Sequence, residues 1–501
     1  MSSYHRDVIV RARDSTDGLG GSTAPVRLER LPDAVAALTP IDAAEAFRDL
    51  PGLALLDSAR PGRRSRWSFL AADPIAVLIG TAAGADAFAE ARVLLGRVAP
   101  GHVGGEFRAG PTALVPPFLG GLIGYLGYDV GLALEPRPSV ADDDQGLPLL
   151  RLALHDWVVA WDRRTGAAWL AGRAVDGDTA SLDARLAGVR ARLAEAAAGL
   201  AGAGHPDDDD RVDRVTGLEF VSNLGQAAFE RRVEAVRDAI AQGEIYQANL
   251  TRRLQAPFAA DPWPLFRRVR TGDPALLAAY LDLGPAPSGT PRAIVSASPE
   301  PFLAVDTRGH VVADPIKGTR PRGRDRTEDR ALARELIASD KDRAENTMIV
   351  DVLRNDLGRV CAPGTVRVPR LCRLERTAAV QHLVSTVTGD LAPGRDQFDL
   401  LAASFPGGSI TGAPKLRAME LLERLETVRR GPYTGALGWI GPDGAMATSI
   451  LIRTFVADGT RLSLNVGGGM TWRSDPTEEW RETVAKARGP LAAIGGREVP
   501  A

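Results

Sequence analysis

Apolar positions recur along this chain on two different periods. In QAAFERRVEAVRDAIAQGE, Phe229, Val233, Val236 and Ile240 fall at i, i+4, i+7 and i+11, which predicts an amphipathic helix ended by Gly243. A second helix is predicted from Thr327 to Leu357, and a last one after Asp475-Pro476, since proline is favoured in a first helical turn. Over residues 26–177 short apolar runs such as GLALLDS, WSFLAADPIAVLIG and LRLALHDWVVAWD alternate with Gly/Pro turns, a strand-rich pattern with some helices. Between Thr434 and Val466, TGALGWI, MATSILIRTFV and RLSLNV are separated by turns at 441–444 and 457–459. That spacing predicts a three-strand meander.

The Ala-rich stretch LDARLAGVRARLAEAAAGL runs into AGAGH and PDDDDR, a glycine-plus-acid composition that reads as an exposed linker. The expected organisation is a tail (1–25), an N-terminal subdomain (26–177), a helix plus linker (178–215), a catalytic domain (216–492) and a short C-terminal tail (493–501). The fold class is mixed α/β, or α+β.

Composition narrows the function classes. A net charge of −2 with 25% charged residues offers no phosphate-seeking excess, so nucleic acid is not the expected partner. No run approaches the roughly 20 apolar residues of a membrane helix, and the charged N-terminus lacks a signal-peptide core, so a cytoplasmic protein is expected. Cys361 and Cys372 have neither zinc spacing nor the glycine-flanked elbow of a glutaminase nucleophile. Any ammonia this protein uses is expected to be made elsewhere.

Several constellations could carry chemistry. Glu479, Glu482 and Lys486 share one face of the last helix, opposite Trp480, Val484 and Ala487; on spacing alone a solvated, salt-bridged face is the commoner outcome. Asp342 and Glu345 lead into the apolar stripe of Ile349 and Val352, and two such acidic pairs could converge on one Mg²⁺. Arg453 interrupts the apolar run SILIRTF, which predicts a charge in or near a buried sheet that needs an anion, from the protein or from a ligand. The glycines of NVGGGM and of FPGGSITGAPK, the latter with Ser409 and Thr411, could bring backbone N–H groups to an anion. His382, in an apolar setting, is more often a core residue than a catalyst, and Glu300 an ordinary turn residue. Lys317, in ADPIKGTRPRG after a run that reads as a strand, gains nothing structurally there. No nucleotide-binding glycine loop is present, so these features together suggest a small polyanion such as a dicarboxylate.

Taken together, SPE (298–300), DPIKGTRPRG (314–323), AENTMIVDVLRNDLGRV (344–360), VQHLVS (380–385), GGSITGAPK (407–415), GPYTGALGW (431–439), ILIRT (450–454), VGGGM (466–470) and EEWRETVAKA (478–487) resemble the chorismate-utilising enzymes. These include the large subunits of anthranilate synthase and aminodeoxychorismate synthase. The resemblance covers residues 220–490 and implies a large two-lobed α/β sandwich of the anthranilate synthase component I type, with antiparallel-rich sheets. It implies chorismate and Mg²⁺ in a cleft, with Glu345 and Glu479 as metal ligands and Asp342 and Glu482 supporting them. Tyr433, Arg453 and Gly467 would hold the enolpyruvyl carboxylate, Ser409 and Lys486 would place the substrate, and His382 would lie near the ring. Thr411, Gly412, Gly318, Thr319 and Gly468 are further candidates for substrate contact, and Glu300 would be the general acid.

Within the family, anthranilate synthases resemble PIAGT and aminodeoxychorismate synthases PIKGT; this chain has Lys317 in that place. The resemblance therefore implies amination of chorismate at C4, giving 4-amino-4-deoxychorismate for 4-aminobenzoate and folate, through a Lys317 adduct at C2. Where relatives that add water carry a lysine base, this chain has Gln247. Ammonia would come from glutamine through a separate glutamine amidotransferase subunit in a heterodimer, and no fused lyase domain is expected. Anthranilate synthase, another aminating enzyme of secondary metabolism, and a non-catalytic scaffold that activates a glutaminase are the alternatives. The segment 55–69 resembles the family's tryptophan pocket.

Overall fold

The computed structural model describes residues 11–12, 26–60, 65–80, 85–98, 115–137, 139–202, 217–377 and 380–500. Most of the expected N-terminal tail, the linker at 203–216, and 61–64 of the basic run and tryptophan-pocket segment lie outside the described residues.

Two large sheets form the centre. The first runs Arg11–Ala12, Ala76–Gly80, Leu150–His155, Gly121–Leu126, Ala436–Ile440, Met446–Ile450, Pro301–Val305, His310–Ala313, Val380–Asp390, Ile316–Pro321, with Arg367–Arg376 also paired to Val380–Asp390. In the second, Arg27–Arg30, Ala168–Gly172, Trp157–Asp162, Trp67–Ala71 and Ala54–Asp57 continue into Leu277–Pro285, Pro291–Ser298, Thr454–Ala457, Arg461–Met470 and Gln247–Pro257. Strands from the first 172 residues therefore extend both sheets by direct pairing with strands from the second half, Gly121–Leu126 on Ala436–Ile440 and Ala54–Asp57 on Leu277–Pro285. Apart from Glu219–Ser222 beside Arg497–Val499, the described strand pairs are antiparallel.

The sheets face each other across an aromatic layer. Phe69 of the second sheet meets Trp439 of the first edge-on at 6.0 Å, and Phe118 stacks on Trp439 at 5.0 Å. Helices cover the outer faces. Thr179–Gly202 and Pro262–Gly272 pack on the second sheet, while Asp340–Gly358 and Gln397–Ser404 pack on the first. The expected two-lobed, antiparallel-rich α/β sandwich is what forms.

Local expectations hold where capping and periodicity agree. The helix Gln226–Ala241 buries Phe229, Val233 and Val236, and Gly243 follows it at φ +76°. Asp475 caps Pro476–Ala493 by accepting from the N–H groups of Thr477 and Glu478, both at 3.0 Å.

Four expectations are corrected. The single helix expected over 327–357 is two, Arg326–Ala338 and Asp340–Gly358, because Ser339 is extended and its hydroxyl accepts from the Asp342 N–H at 3.2 Å, starting a new helix. The expected meander does not lie in one sheet. Ala436–Ile440 and Met446–Ile450 belong to the first sheet, Thr454–Ala457 and Arg461–Met470 to the second, and the chain crosses between them at Leu451–Arg453. Arg453 is thus not in a buried strand: its backbone is left-handed at φ +50° and its side chain is 49% exposed, 3.4 Å from Asp273. Finally, the strand expected before Lys317 divides at Asp314-Pro315. Lys317 itself lies in the second piece, Ile316–Pro321, whose register shifts between Ile316 and Thr319.

One buried ion pair, missed in the sequence, ties the two sheets together. Arg430, 2% exposed, donates from Nε and Nη2 to the Glu426 carboxylate at 2.8 and 2.7 Å, from Nη2 to Asn249 O at 2.6 Å and from Nη1 to Ile410 O at 2.9 Å. Glu426 also accepts from the Thr251 N–H and hydroxyl at 3.0 and 2.9 Å. Removing one partner of such a pair leaves an uncompensated buried charge. Glu426→Ala is expected to lower stability by about 3–5 kcal/mol, read from the shift in urea midpoint; a loss below about 1 kcal/mol would show that the pair is not a structural tie.

Candidate active site

A cavity of about 610 Å³ opens between the crossover and the helices Asp340–Gly358 and Pro476–Ala493. Of the residues singled out in the sequence, Glu300, Lys317, Gly318, Thr319, Asp342, Glu345, His382, Ser409, Tyr433, Arg453, Gly467, Gly468, Glu482 and Lys486 line it. Segments as far apart along the chain as those of Asn249 and Lys486 converge on one space. Thr411 and Gly412 do not reach it: the buried Thr411 hydroxyl donates to Gly407 O at 3.0 Å, and Gly412 lies tight against the Gln247 backbone. Glu479 stands behind the lining, 5% exposed, accepting from Ser474 Oγ at 2.6 Å. On the last helix the solvated-face reading holds only for Glu482 and Lys486, paired at 2.7 Å.

Lys317 reaches this space because of its neighbour. Gly318 has φ +83°, and a Cβ there would meet Asp342 Cβ at 2.9 Å. The strand therefore runs hard against the helix Asp340–Gly358 and turns the lysine into the cavity. Burial pushes the Lys317 ammonium below its ordinary range, against the pull of the Glu345 and Glu300 carboxylates. Glu300 moves the other way. Burial raises its carboxyl, opposed by the Lys317 charge and by Ser409 Oγ, which donates to Glu300 Oε1 at 2.9 Å. A carboxyl whose pKa burial raises and an amine whose pKa burial lowers thus face one cavity. His382 is half-buried, not a core residue, and its Nδ1 shares a 2.8 Å hydrogen bond with the Thr319 hydroxyl.

The acidic wall has a distinct character. Glu345 Oε1 is buried with no hydrogen-bond partner, and burial raises the Glu345 and Glu479 carboxyls. A Cβ at Gly468 would lie 3.4 Å from Glu479 Oε2 and 3.5 Å from Glu482 Oε1, so the glycine brings the cavity backbone close to both carboxylates. Asp342 is already engaged by Arg320 Nη2 at 3.2 Å. Among the described residues no three His, Cys, Asp or Glu side chains form a complete metal cage. Magnesium, however, asks for only one or two carboxylates and completes its shell with water and anionic substrate, and an orphaned buried carboxylate oxygen fits that demand.

Lys341 was missed. It lies in the first turn of Asp340–Gly358, lines the cavity and acts electrostatically on Glu345, Glu479 and Glu482, yet in DKDRAEN it reads as an ordinary surface lysine. Asn249 was missed as well; it lines the cavity and donates from Nδ2 to Ser409 O at 2.6 Å. No helix among the described residues is long and apolar enough to cross a membrane.

Residues 56–492 match the family model for chorismate binding enzymes. The chain is 41% identical to anthranilate synthase component 1 of Streptomyces coelicolor, over 78% of this chain and 76% of that protein. It is 38% identical to aminodeoxychorismate synthase component 1 of Salmonella typhimurium, over 74% and 76%. The structure is similar to anthranilate synthase component I from Streptococcus pneumoniae, with a TM-score of 0.70, 28% identity, and 85% of this chain and 92% of that one covered.

Gly318→Ala tests the tight approach of the Lys317 strand. A left-handed backbone and a 2.9 Å contact together predict a loss of about 1–3 kcal/mol in stability, measured by denaturant unfolding; an unchanged midpoint would mean that the strand has room to spare.

Proposed function

Because the chain belongs to the chorismate-binding enzyme family, we propose that it aminates chorismate at C4, giving 4-amino-4-deoxychorismate through a covalent adduct on Lys317. The observation that carries the reading is the pairing, in one cavity, of a buried lysine whose pKa burial lowers with a buried carboxyl whose pKa burial raises. Chorismate loses its hydroxyl from C4 and accepts a nucleophile at C2, so ammonia adding directly would give the 2-amino isomer. A temporary group at C2 redirects nitrogen to C4.

In the first step the Lys317 amine bonds to C2, the ring double bonds shift, and the C4–O bond breaks as Glu300 hands its proton to the departing hydroxyl, which leaves as water. Glu300 then takes the proton shed by the new C2 ammonium. Ammonia bonds to C4, the C2–N bond breaks, and the same proton returns to the lysine nitrogen; Glu300 is reprotonated from the product ammonium. Ser409 holds the Glu300 carboxyl, and Arg453 at the crossover and Lys486, both lining the cavity, would meet substrate carboxylates. Glu345, Glu479 and Glu482 are the residues that would hold Mg²⁺. When bound, the ion supplies positive charge that anchors a ring carboxylate. Nitrogen would come from a separate glutamine amidotransferase subunit, a partnership that the "component 1" of the relatives' names supports.

The 41% identity to an anthranilate synthase component keeps C2 amination as a second reading. Product analysis separates the two: with chorismate, Mg²⁺ and ammonium the 4-amino isomer is expected, and anthranilate alone would refute the proposal. Lys317→Ala is expected to abolish the 4-amino product or redirect nitrogen to C2; unchanged 4-amino product would exclude the covalent route. Since one group must be neutral amine and the other neutral acid, kcat/KM should rise with pH as Lys317 deprotonates and fall as Glu300 ionises. Glu300→Gln should lower kcat by about 10²–10⁴-fold and remove the alkaline limb. Calorimetric titration checks the ion separately from turnover: Glu345→Gln should weaken Mg²⁺ binding by about tenfold or more, and unaltered binding would move the metal elsewhere.

A further inference from the structure

Among the described residues the strand Arg367–Arg376 forms an edge of the first sheet, paired only with Val380–Asp390. It carries Arg367, Arg370 and Arg373 around Leu371, which is 50% exposed. Arg343 of the helix Asp340–Gly358 adjoins them, since Cys372 Sγ lies 3.8 Å from Arg343 O. None of these four arginines forms an ion pair with a described residue, whereas Arg376 at the strand's end reaches Asp329 at 3.8 Å. The strand holds one carboxylate, Glu375, so in a chain of net charge −2 this is a local excess of positive charge around an apolar centre.

Its position relates it to the cavity. Glu375 pairs with His382 on one side of Val380–Asp390, and Thr319 pairs with the same His382 on the other. At two strand spacings, the basic edge lies about 10 Å from the strand that bears Lys317. On the helix side, Arg343 is two residues from the cavity-lining Lys341.

The ordinary use of arginine on an edge strand is to prevent strand-on-strand association. Here Pro369 and the register shifts between Arg367 and Arg370 and between Arg370 and Arg373 already break the edge. That purpose also leaves the half-exposed Leu371 without a reason. Arginine around a desolvatable apolar residue is instead the composition of an interface centre.

We propose that this edge is the docking surface for the ammonia-supplying subunit, through an acidic face of that subunit that covers Leu371. The inference rests on the amination proposed above. Ammonia released into bulk water at neutral pH is mostly protonated, and the protonated form is not a nucleophile, so a source beside the cavity delivers free ammonia far more effectively than bulk ammonium does. The broken edge also means that docking proceeds through side chains, not by adding a strand, which makes charge its sensitive variable.

The test uses the full chain, Arg370→Glu/Arg373→Glu and Leu371→Asp, with the glutamine amidotransferase component from the chain's own source. Turnover of chorismate is measured with ammonium alone and with glutamine plus that component. Expected is a tenfold or greater rise in the amidotransferase concentration giving half-maximal glutamine-driven turnover in both variants, with ammonium-driven turnover within twofold of the original. The original chain should lose glutamine-driven turnover as salt is raised, more steeply than the charge-reversed one. An unchanged half-maximal concentration in both variants would overturn the docking surface while leaving the amination intact. So would a sedimentation measurement showing that the same substitutions abolish self-association of this chain with glutamine-driven turnover unaffected. Absence of amination with ammonium by the original chain would overturn the proposed function itself.

Discussion

The Arg430–Glu426 ion pair is the constraint on which the cavity depends. Its hydrogen bonds reach Asn249 and Thr251 on the strand Gln247–Pro257 of the second sheet, Ile410 in the glycine-rich loop, and Thr434 just before the first sheet's strand Ala436–Ile440. Each of these neighbours lies at or beside the cavity wall. A hydrophobic pair of equal volume could be as stable, because burying two charges consumes most of what their attraction returns. Packing alone, however, would not fix the distance between three separate segments. Every guanidinium nitrogen here has an acceptor, so the geometry is specified as well as held.

Beside that pair the backbone departs from its ordinary regions. Thr434 (φ +59°) and Arg453 (φ +50°) are both left-handed, and the Thr434 N–H donates to Leu451 O at 2.7 Å, so the two unusual residues belong to one junction. Conformations of this kind persist only where the surroundings over-determine them. What they accomplish is the transfer of one continuous apolar run, SILIRTF, from the first sheet to the second, which leaves Arg453 at the mouth of the gap between them.

This junction explains what was legible in the sequence and what was not. Strongly periodic segments such as Gln226–Ala241, and those with explicit caps such as Pro476–Ala493, were readable because local signals and tertiary packing agree. The identities of Glu300, Lys317, Glu345 and Glu482 were readable only as motifs. Their convergence is a property of topology, and the gaps of up to about 137 residues between neighbouring ones carry no distance information. The apolar run around Arg453 misled because periodicity records burial and is silent about which sheet does the burying. Ser339 was overlooked although SDKD carries a capping pattern, since the flanking helical periodicity outweighed a single serine. Glu479 misled in the opposite sense: spacing put it on a wet face, yet Ser474 and the glycine run draw it inside.

Electrostatic balance decides how such a cavity can exist without ligand. Lys486 neutralises Glu482, and Arg320 neutralises Asp342, while Lys317 and Lys341 act on Glu345 without a hydrogen bond to its orphaned oxygen. A cation arriving at that oxygen would stabilise the ionised form of Glu345, and it would also push Lys317 further toward the neutral amine by adding positive charge nearby. An anionic substrate arriving alone would do the reverse, holding the proton on the lysine. Entry of a cation ahead of an anion would therefore suit the charges already present: the cation would shift Lys317 toward the amine and offset the negative charge that the anion brings in.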